Sequence, residues 1–250
     1  MIRLVAPAKL TWFLEVTGVR NDGFHELRSE MTTLDFSDRL DLDETADYVR
    51  VSVLHVGAVP DGDANLVGRA LTLVGRRAGV DIEKVIPVGG GLGGGSADAA
   101  AILRWAGGVS PLQALSLGGD VPFCQVGGRA LVEGVGEILM PLPYEARDVT
   151  LVIPDFGVAT ADCYRAYDEL RGGGWTPRAA NHLEEPAGLV EPRLRRSLEW
   201  LRGEWGADVS LAGSGSTMFL LGHLEPGRSP WDVTGPAGTL RFHQTTTTPS

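Results

Sequence analysis

The chain has 250 residues, of which 22 are Lys or Arg and 32 are Asp or Glu, so its formal charge at pH 7 is −10. With 43% hydrophobic residues, it has the composition of a globular protein that can bury a core without disulfides or a structural metal. The acidic balance argues against nucleic acid or an anionic membrane as a partner. Glycine, at 34 residues, is about twice as frequent as its usual ~7% share.

Cysteines and terminal segments give no sign of a secreted or membrane protein. Cys124 and Cys163 have neither metal-site nor disulfide-framework spacing, which predicts reduced thiols. We find no signal-peptide pattern at the N-terminus and no run near the ~18–20 apolar residues of a membrane span. The sequence predicts a cytoplasmic protein and leaves open whether it is a monomer or a weak dimer.

Hydrophobic periodicity predicts strands interleaved irregularly with helices. Strands are predicted over 2–16, with a break at Pro7, and over 49–56, 83–88, 129–138 and 149–153. Helices are predicted over 64–78, 97–106, 160–171 and 189–205. Three prolines within 223–238 argue against an intact last helix.

This irregular order predicts an α+β fold with two lobes. The first lobe is expected to cover residues 1–146 and the second residues 147–242. The remaining segment, 243–250, has the low-complexity sequence HQTTTTPS and is predicted to be disordered.

A glycine-rich segment lies between the strand predicted over 83–88 and the helix predicted over 97–106. Its residues are Pro87, Val88, Gly89, Gly90, Gly91, Leu92, Gly93, Gly94, Gly95, Ser96 and Ala97. Glycine permits positive φ, and the N-terminus of the following helix presents free N–H groups and a positive dipole end. Ser96 and Asp98 stand where capping residues belong. A flexible connector needs none of this context, so the pattern favours a phosphate-binding loop.

Two other nucleotide-binding loops do not match. Gly89, Gly91 and Gly94 satisfy G-x-G-x-x-G, but residues 99–119 contain no acidic residue for a ribose, which argues against a dinucleotide-dependent oxidoreductase. A Walker A loop requires G-K-[ST], and no lysine follows Lys84.

Four segments, in order, resemble motifs of the GHMP small-molecule kinases. They are APAKLTWFLEVTGVRNDGFHEL at 6–27, GGGLGGGSADAA at 89–100, GGDVPF at 118–123 and AGSGSTMF at 212–219. The resemblance implies a lobe like ribosomal protein S5, a ferredoxin-like second lobe, an active site in the cleft between them, and the use of ATP and Mg²⁺.

The DGFHEL segment at 22–27 resembles one branch of that family. Its members phosphorylate the 2-hydroxyl of a cytidine diphosphate-linked methylerythritol in non-mevalonate isoprenoid precursor biosynthesis. A homoserine- or mevalonate-type kinase and a catalytically silent binding protein remain alternatives. Retention of Lys9, Asp120 and the glycine loop argues against the silent protein.

The resemblance also implies roles for individual residues. Asp120 is expected to be the general base, with Lys9 as the second catalytic residue that orients it and the accepting hydroxyl. The segment Pro87–Ala97 is expected to bind the ATP phosphates, with Ser96 near the magnesium ion. For Asn65, contact with adenine and an ordinary helix N-cap are equally open.

Substrate contacts follow in the same way. Phe24 is expected to stack on cytosine and His25 to hydrogen-bond its edge. Thr160 and Tyr164, four residues apart on a helix, are expected to close over the cytidine, although Tyr164 is equally consistent with a core position. Thr11 replaces an asparagine of the family, which puts that substrate contact in question.

Overall fold

The computed structural model describes residues 1–53, 62, 65–206, 208–224 and 228–249. The strands are β1 (Ile2–Val19), β2 (His25–Asp43), β3 (Tyr48–Val53), β4 (Gly79–Lys84), β5 (Arg129–Gly134), β6 (Ile138–Pro141), β7 (Asp148–Pro154), β8 (Ser210–Leu211), β9 (Met218–Leu221), β10 (Trp231–Gly235) and β11 (Gly238–Thr248). The helices are α1 (Leu66–Leu73), α2 (Gly94–Trp105), α3 (Pro111–Leu115), α4 (Val121–Val126), α5 (Thr160–Gly172), α6 (Glu184–Val190) and α7 (Pro192–Trp205). The predicted α+β class is confirmed.

The strands join into one continuous sheet with the order β3-β4-β2-β11-β7-β9-β8. In addition, β1 and β5 pair with β2, β6 pairs with β5, and β10 pairs with β11. Strands β3 and β4 are parallel, and the other named pairs are antiparallel. None of the described helices is long and apolar enough to cross a membrane.

In the first half, the structure corrects several predicted boundaries. The break predicted at Pro7 is wrong, because β1 continues to Val19 and absorbs the proline in a register shift between Pro7 and Lys9. The strand predicted over 83–88 lies earlier, at Gly79–Lys84. The end of the strand predicted over 49–56 lies outside the described residues.

In the second half, the helix predicted over 189–205 is two helices. Chain direction changes at Glu191, whose carboxylate accepts from the Arg193 N–H at the start of α7, and Pro192 occupies the first helical position. A hairpin of β10 and β11 follows. The argument from the prolines against an intact last helix is therefore confirmed for the described residues of 223–238, which include β10 and the start of β11 and no helix.

The prediction of a disordered tail over 243–250 is wrong for residues 243–248, which belong to strand β11, and Ser250 lies outside the described residues. Strand β11 pairs with β7 from Leu240 to Thr246 and with β2 at Thr247 and Thr248, so it joins the sheet of the first half to that of the second. Threonine has a high strand propensity, and alternate side chains of this run are buried.

Three buried clusters stabilise this arrangement. One packs α1, α2 and α4 on the sheet of the first half, and another packs α5, α6 and α7 on that of the second. The third combines Leu10 and Leu34 from the first half with Leu151 and Phe219 from the second. The halves thus share a core, and a division near residue 146 stays a prediction.

Candidate active site

The glycine-rich loop runs from the end of β4 into α2. Helix α2 begins three residues earlier than predicted, after Gly93, whose φ is +69°. The first backbone bond runs from the Ala97 N–H to the Gly93 carbonyl over 2.8 Å. The N–H groups of the first turn therefore lie at a positive helix end that favours an anion. The expected capping by Ser96 and Asp98 is wrong, because Gly93 is the N-cap and makes no side-chain cap.

The segment after β8 holds this loop in place. The Ser216 and Thr217 N–H groups donate to the carbonyl oxygens of Gly89 and Gly90 over 3.0 and 3.1 Å. Gly91 has a φ of +74°, and a Cβ atom placed on it would lie 2.0 Å from the carbonyl oxygen of Ala212. Only glycine permits so close an approach, so the AGSGSTMF segment at 212–219 shapes the glycine loop.

Two cavities adjoin at the starts of α2 and α4. The smaller, about 410 Å³, is lined by the glycine loop, and the larger, about 1140 Å³, by the turn between β1 and β2. Four polar residues line both cavities and mark where they meet: Ser96, Asp120, Thr160 and Tyr164. Molecules bound in the two cavities would therefore approach each other at these residues.

Most predicted loop residues line the smaller cavity. They are Pro87, Val88, Gly89, Gly90, Gly91, Gly93, Gly94, Gly95 and Ser96. Leu92 and Ala97 are instead buried, at 0% and 1% exposure, although the Leu92 carbonyl accepts from the Lys9 N–H. Leu92 and Ala97 therefore support the loop from the protein interior.

Asn65 lies on the wall of the smaller cavity and is also a helix cap. Its side-chain oxygen accepts from the Val67 N–H over 2.9 Å at the start of α1. The capping interpretation is thereby confirmed, and a contact with adenine stays a prediction.

Lys9 and Asp120 meet at the junction of the cavities. Lys9 follows the register shift in β1, and Asp120 is the N-cap residue of α4 but makes no side-chain cap. Their Nζ and Oδ2 atoms are 3.4 Å apart, with the Lys9 side chain 5% and the Asp120 side chain 32% exposed. The carboxylate is therefore open to a ligand, while the ammonium reaches it from within the protein.

Thr11 is a partner of Lys9. Lys9 Nζ donates to Thr11 Oγ1 over 3.0 Å, and Thr11 is buried. Neither cavity wall includes Thr11. A direct contact of Thr11 with substrate stays a prediction, whereas the structure shows its hydrogen bond with the Lys9 ammonium.

A second buried lysine lies in the smaller cavity, and sequence reasoning missed it. Lys84 Nζ donates to Asp38 and, over 2.7 Å, to Asp98, and all three side chains are buried. Asp38 also accepts from the Ile86 N–H over 2.8 Å. This triad ties β2, β4 and α2 together beneath the loop. The available signal was that Lys9 and Lys84 are the only lysines of the chain.

The triad has perturbed acid–base properties. Burial raises the pKa of Asp98 to about 7, with the charge of Asp38 acting in the same direction and that of Lys84 opposing it. Burial alone lowers the pKa of Lys84, but the charges of Asp98 and Asp38 outweigh this effect and the pKa is raised. Asp98 Oδ1 is buried without a hydrogen-bond partner in the described part of the chain.

The predicted substrate residues surround the larger cavity. Phe24 and His25 lie on its wall at the β1–β2 turn, and Phe24 is 64% exposed. Thr160 Oγ1 lies 2.9 Å from Ser214 Oγ. The Tyr164 ring lies 4.6 Å from that of His25, and burial raises the pKa of its phenol above the usual range. The structure thus brings all four together.

Comparisons with known proteins agree with this site. A family profile described as the GHMP kinases N terminal domain matches residues 65–128. The 4-diphosphocytidyl-2-C-methyl-D-erythritol kinase of Gloeobacter violaceus is 42% identical, covering 79% of this chain and 73% of its own. That of Bacillus cereus strain AH187 is 37% identical, covering 87% of each. A solved structure of 4-(cytidine 5'-diphospho)-2C-methyl-D-erythritol kinase is 31% identical over both complete chains, with a TM-score of 0.69.

These findings confirm the predicted GHMP-kinase architecture. Identity of 37–42% over most of the chain exceeds what a shared fold alone produces, and the matched family profile covers the glycine loop and Asp120. The chain belongs to the 4-diphosphocytidyl-2-C-methyl-D-erythritol kinase family of GHMP kinases.

Proposed function

We propose that this chain transfers the γ-phosphoryl group of ATP to the 2-hydroxyl of 4-diphosphocytidyl-2-C-methyl-D-erythritol, a step in non-mevalonate isoprenoid precursor biosynthesis. The observation that carries the proposal is the junction of the two cavities at Asp120, with Lys9 Nζ 3.4 Å from its carboxylate. Phosphoryl transfer requires a bound nucleotide, a positioned hydroxyl and positive charge at the moving group.

Each requirement has residues in this arrangement. The loop of Gly89–Ser96 and the start of α2 bind the ATP phosphates through backbone N–H groups. Asp120 accepts the proton of the attacking hydroxyl, because its carboxylate faces the cavity that takes the alcohol. Lys9 places its charge between that carboxylate and the transferred group. The proton leaves the hydroxyl as the oxygen–phosphorus bond forms and ADP departs.

The metal site implied by the family also fits the residues present. The described residues contain no cluster of three or more His, Cys, Asp or Glu that would hold a metal alone. Mg²⁺ on a nucleotide takes few protein ligands and several phosphate oxygens, which suits a single hydroxyl from Ser96 on the wall of the smaller cavity. The ion would neutralise phosphate charge there.

The larger cavity takes the cytidine end of the substrate. Phe24, which is 64% exposed, offers a ring face on which a pyrimidine can stack. His25 offers a ring nitrogen to the base edge, and Thr160 and Tyr164 border the passage towards Asp120. A cavity of about 1140 Å³ exceeds the needs of homoserine or mevalonate, which favours the cytidyl substrate.

A coupled assay of ADP release tests the proposal. The purified protein is supplied with Mg-ATP and, separately, with the cytidyl substrate, homoserine and mevalonate. We expect turnover only with the cytidyl compound. Turnover of another alcohol without the cytidyl compound would refute the assignment, and ATP binding without any turnover would indicate the silent binding protein.

A further inference from the structure

Three residues on one face of α5 hold the side chain of His25. The His25 Nε2 atom lies 2.7 Å from Asp168 Oδ1, and the ring contacts Tyr164 at 4.6 Å and Tyr167 at 5.9 Å between centroids. Positions 164, 167 and 168 share a face because they are three and four residues apart. The His25 side chain is only 10% exposed, so these contacts restrict its orientation.

The carboxylate of Asp168 determines which ring nitrogen carries the proton. An ionised carboxylate only accepts hydrogen bonds, so the 2.7 Å contact requires a proton on His25 Nε2. A neutral imidazole then has an unprotonated Nδ1, which is an acceptor. Within the described residues Nδ1 has no hydrogen-bond partner, and His25 lines the larger cavity. A ligand in that cavity therefore meets an acceptor.

We propose that Asp168 is a positioning residue that selects an amino-bearing pyrimidine by holding His25 with its proton on Nε2. The inference rests on the proposed function, because it assigns the cytidine end of the substrate to this cavity. Asp168 itself needs no contact with the base. It acts through His25, whose Nδ1 accepts from the 4-amino group of cytosine.

The same arrangement rejects uracil. Uracil presents a carbonyl oxygen where cytosine presents an amino group, so two acceptors would face each other across the cavity. A site built to hydrogen-bond one substrate group discriminates strongly against an analogue that lacks it. Without Asp168, the imidazole can move its proton to Nδ1 and become a donor, which suits uracil. Loss of Asp168 should therefore reduce the selectivity between the two bases.

The test uses the full chain with Asp168→Ala, Asp168→Asn and the control Glu169→Gln. Glu169 is exposed on the same helix and is not part of the wall of the larger cavity, so this control also changes a carboxylate to an amide but leaves His25 untouched. Asp168→Asn keeps an oxygen acceptor and should retain part of the effect. Imidazole ¹⁵N shifts are recorded without substrate at about pH 8, where ordinary histidines are neutral. Steady-state kinetics compare the cytidine-linked substrate with its uridine-linked analogue.

We expect wild-type His25 to show the Nε2–H tautomer and Asp168→Ala to show a mixture. The ratio of kcat/KM for the cytidine and uridine compounds should fall on the order of tenfold in Asp168→Ala, through a higher KM for the cytidine compound, with KM for ATP unchanged. An unchanged tautomer, a doubly protonated wild-type ring or an unchanged ratio would overturn the proposal. The tautomer is measured without catalysis. If the wild-type protein does not turn over the cytidyl compound, the proposed function fails, and this outcome is distinct from failure of the tautomer prediction.

Discussion

Lys9 Nζ lies 3.4 Å from Asp120 Oδ2, although one residue belongs to the first strand and the other precedes a helix in the middle of the chain. The register shift after Pro7 lets the Lys9 N–H bond the Leu92 carbonyl of the glycine loop over 3.0 Å. The same residue thus contacts the loop through its backbone and the candidate base through its side chain. The proposed nucleotide and alcohol sites therefore meet at this point.

Replacement of the candidate base should separate chemistry from binding. Asp120→Asn keeps the shape of the side chain but cannot accept the proton, so kcat should fall by roughly 10²–10⁴. KM for ATP should not change. Steady-state kinetics measure both, and Asp35→Asn, at an exposed position of β2, serves as the control. A variant with wild-type kcat would show that Asp120 is not the base.

Substitution of Thr11 tests the hydrogen bond between Thr11 and Lys9. Thr11→Val removes the oxygen that accepts from Lys9 Nζ while preserving the volume of the side chain. Because hydrogen bonds to charged groups are strong, kcat should fall about tenfold while KM for the alcohol stays constant. If KM rises and kcat is unchanged, Thr11 contacts the substrate directly.

Gly91 and Gly107 form a matched pair for testing the loop. Both have positive φ, +74° and +101°, but a Cβ atom on Gly91 would meet Ala212 whereas that on Gly107 has open space. Gly107→Ala should lose about 1–2 kcal/mol of unfolding free energy from backbone strain alone. Gly91→Ala should lose more and raise KM for ATP. Urea denaturation compares the two, and equal losses would contradict the close contact.

The buried triad predicts a pH-dependent effect of Asp98→Asn. The pKa of Asp98 is raised from 3.8 to about 7 in the folded chain, so its stabilising contribution is complete below 3.8 and is lost as pH rises to about 7. Asparagine does not ionise. The stability of Asp98→Asn relative to wild type should therefore increase with pH across that range, by up to ~1.4 kcal/mol per pH unit.

Urea denaturation at about pH 5 and about pH 8 measures this difference. The exposed change Asp35→Asn again supplies the baseline. A stability difference that is the same at both pH values would refute the raised pKa of Asp98.

Strand β11 predicts that a threonine near the C-terminus is structural. Thr247 Oγ1 donates to the Glu145 carbonyl over 2.8 Å and accepts from the Arg147 N–H over 3.0 Å. Thr247→Val should leave these backbone groups unsatisfied and lower the free energy of unfolding by about 1–3 kcal/mol. Thr246→Val, on the other face of β11, is the control. If urea denaturation shows that Thr247→Val and Thr246→Val lower the free energy of unfolding equally, the result would favour a disordered tail.

Some features followed from short stretches of sequence. The glycine loop was predictable, because a run of small residues between a strand and a helix is typical of a phosphate-binding loop and of few other structures. The order of this loop, GGDVPF and AGSGSTMF along the chain indicated the family. Helix α5 was predicted over 160–171 and spans Thr160–Gly172. In these cases the signal lies within one segment and depends little on what packs against it.

Other features required contacts between distant segments. The alternation of buried threonines in β11 was masked by a repetitive composition, and only its pairing with β7 and β2 distinguishes a strand from a tail. Lys84 acquires its role from Asp38 and Asp98 on other elements. Likewise, nothing near His25 in sequence indicates Asp168.

The sequence by itself therefore determined the family, the α+β class, the candidate phosphate-binding loop and the candidate pair Lys9 and Asp120. Local conformational preferences are sufficient for the fold class and the loop, and the resemblance of four segments to GHMP-kinase motifs supplies the family and the candidate pair. Only the tertiary structure decided how the two cavities meet, which carboxylates share the buried Lys84, and which residue orients His25. Those relationships depend on side chains that the folded sheet and helices bring within a few ångströms, and their interactions are set by burial and distance, which are properties of the fold.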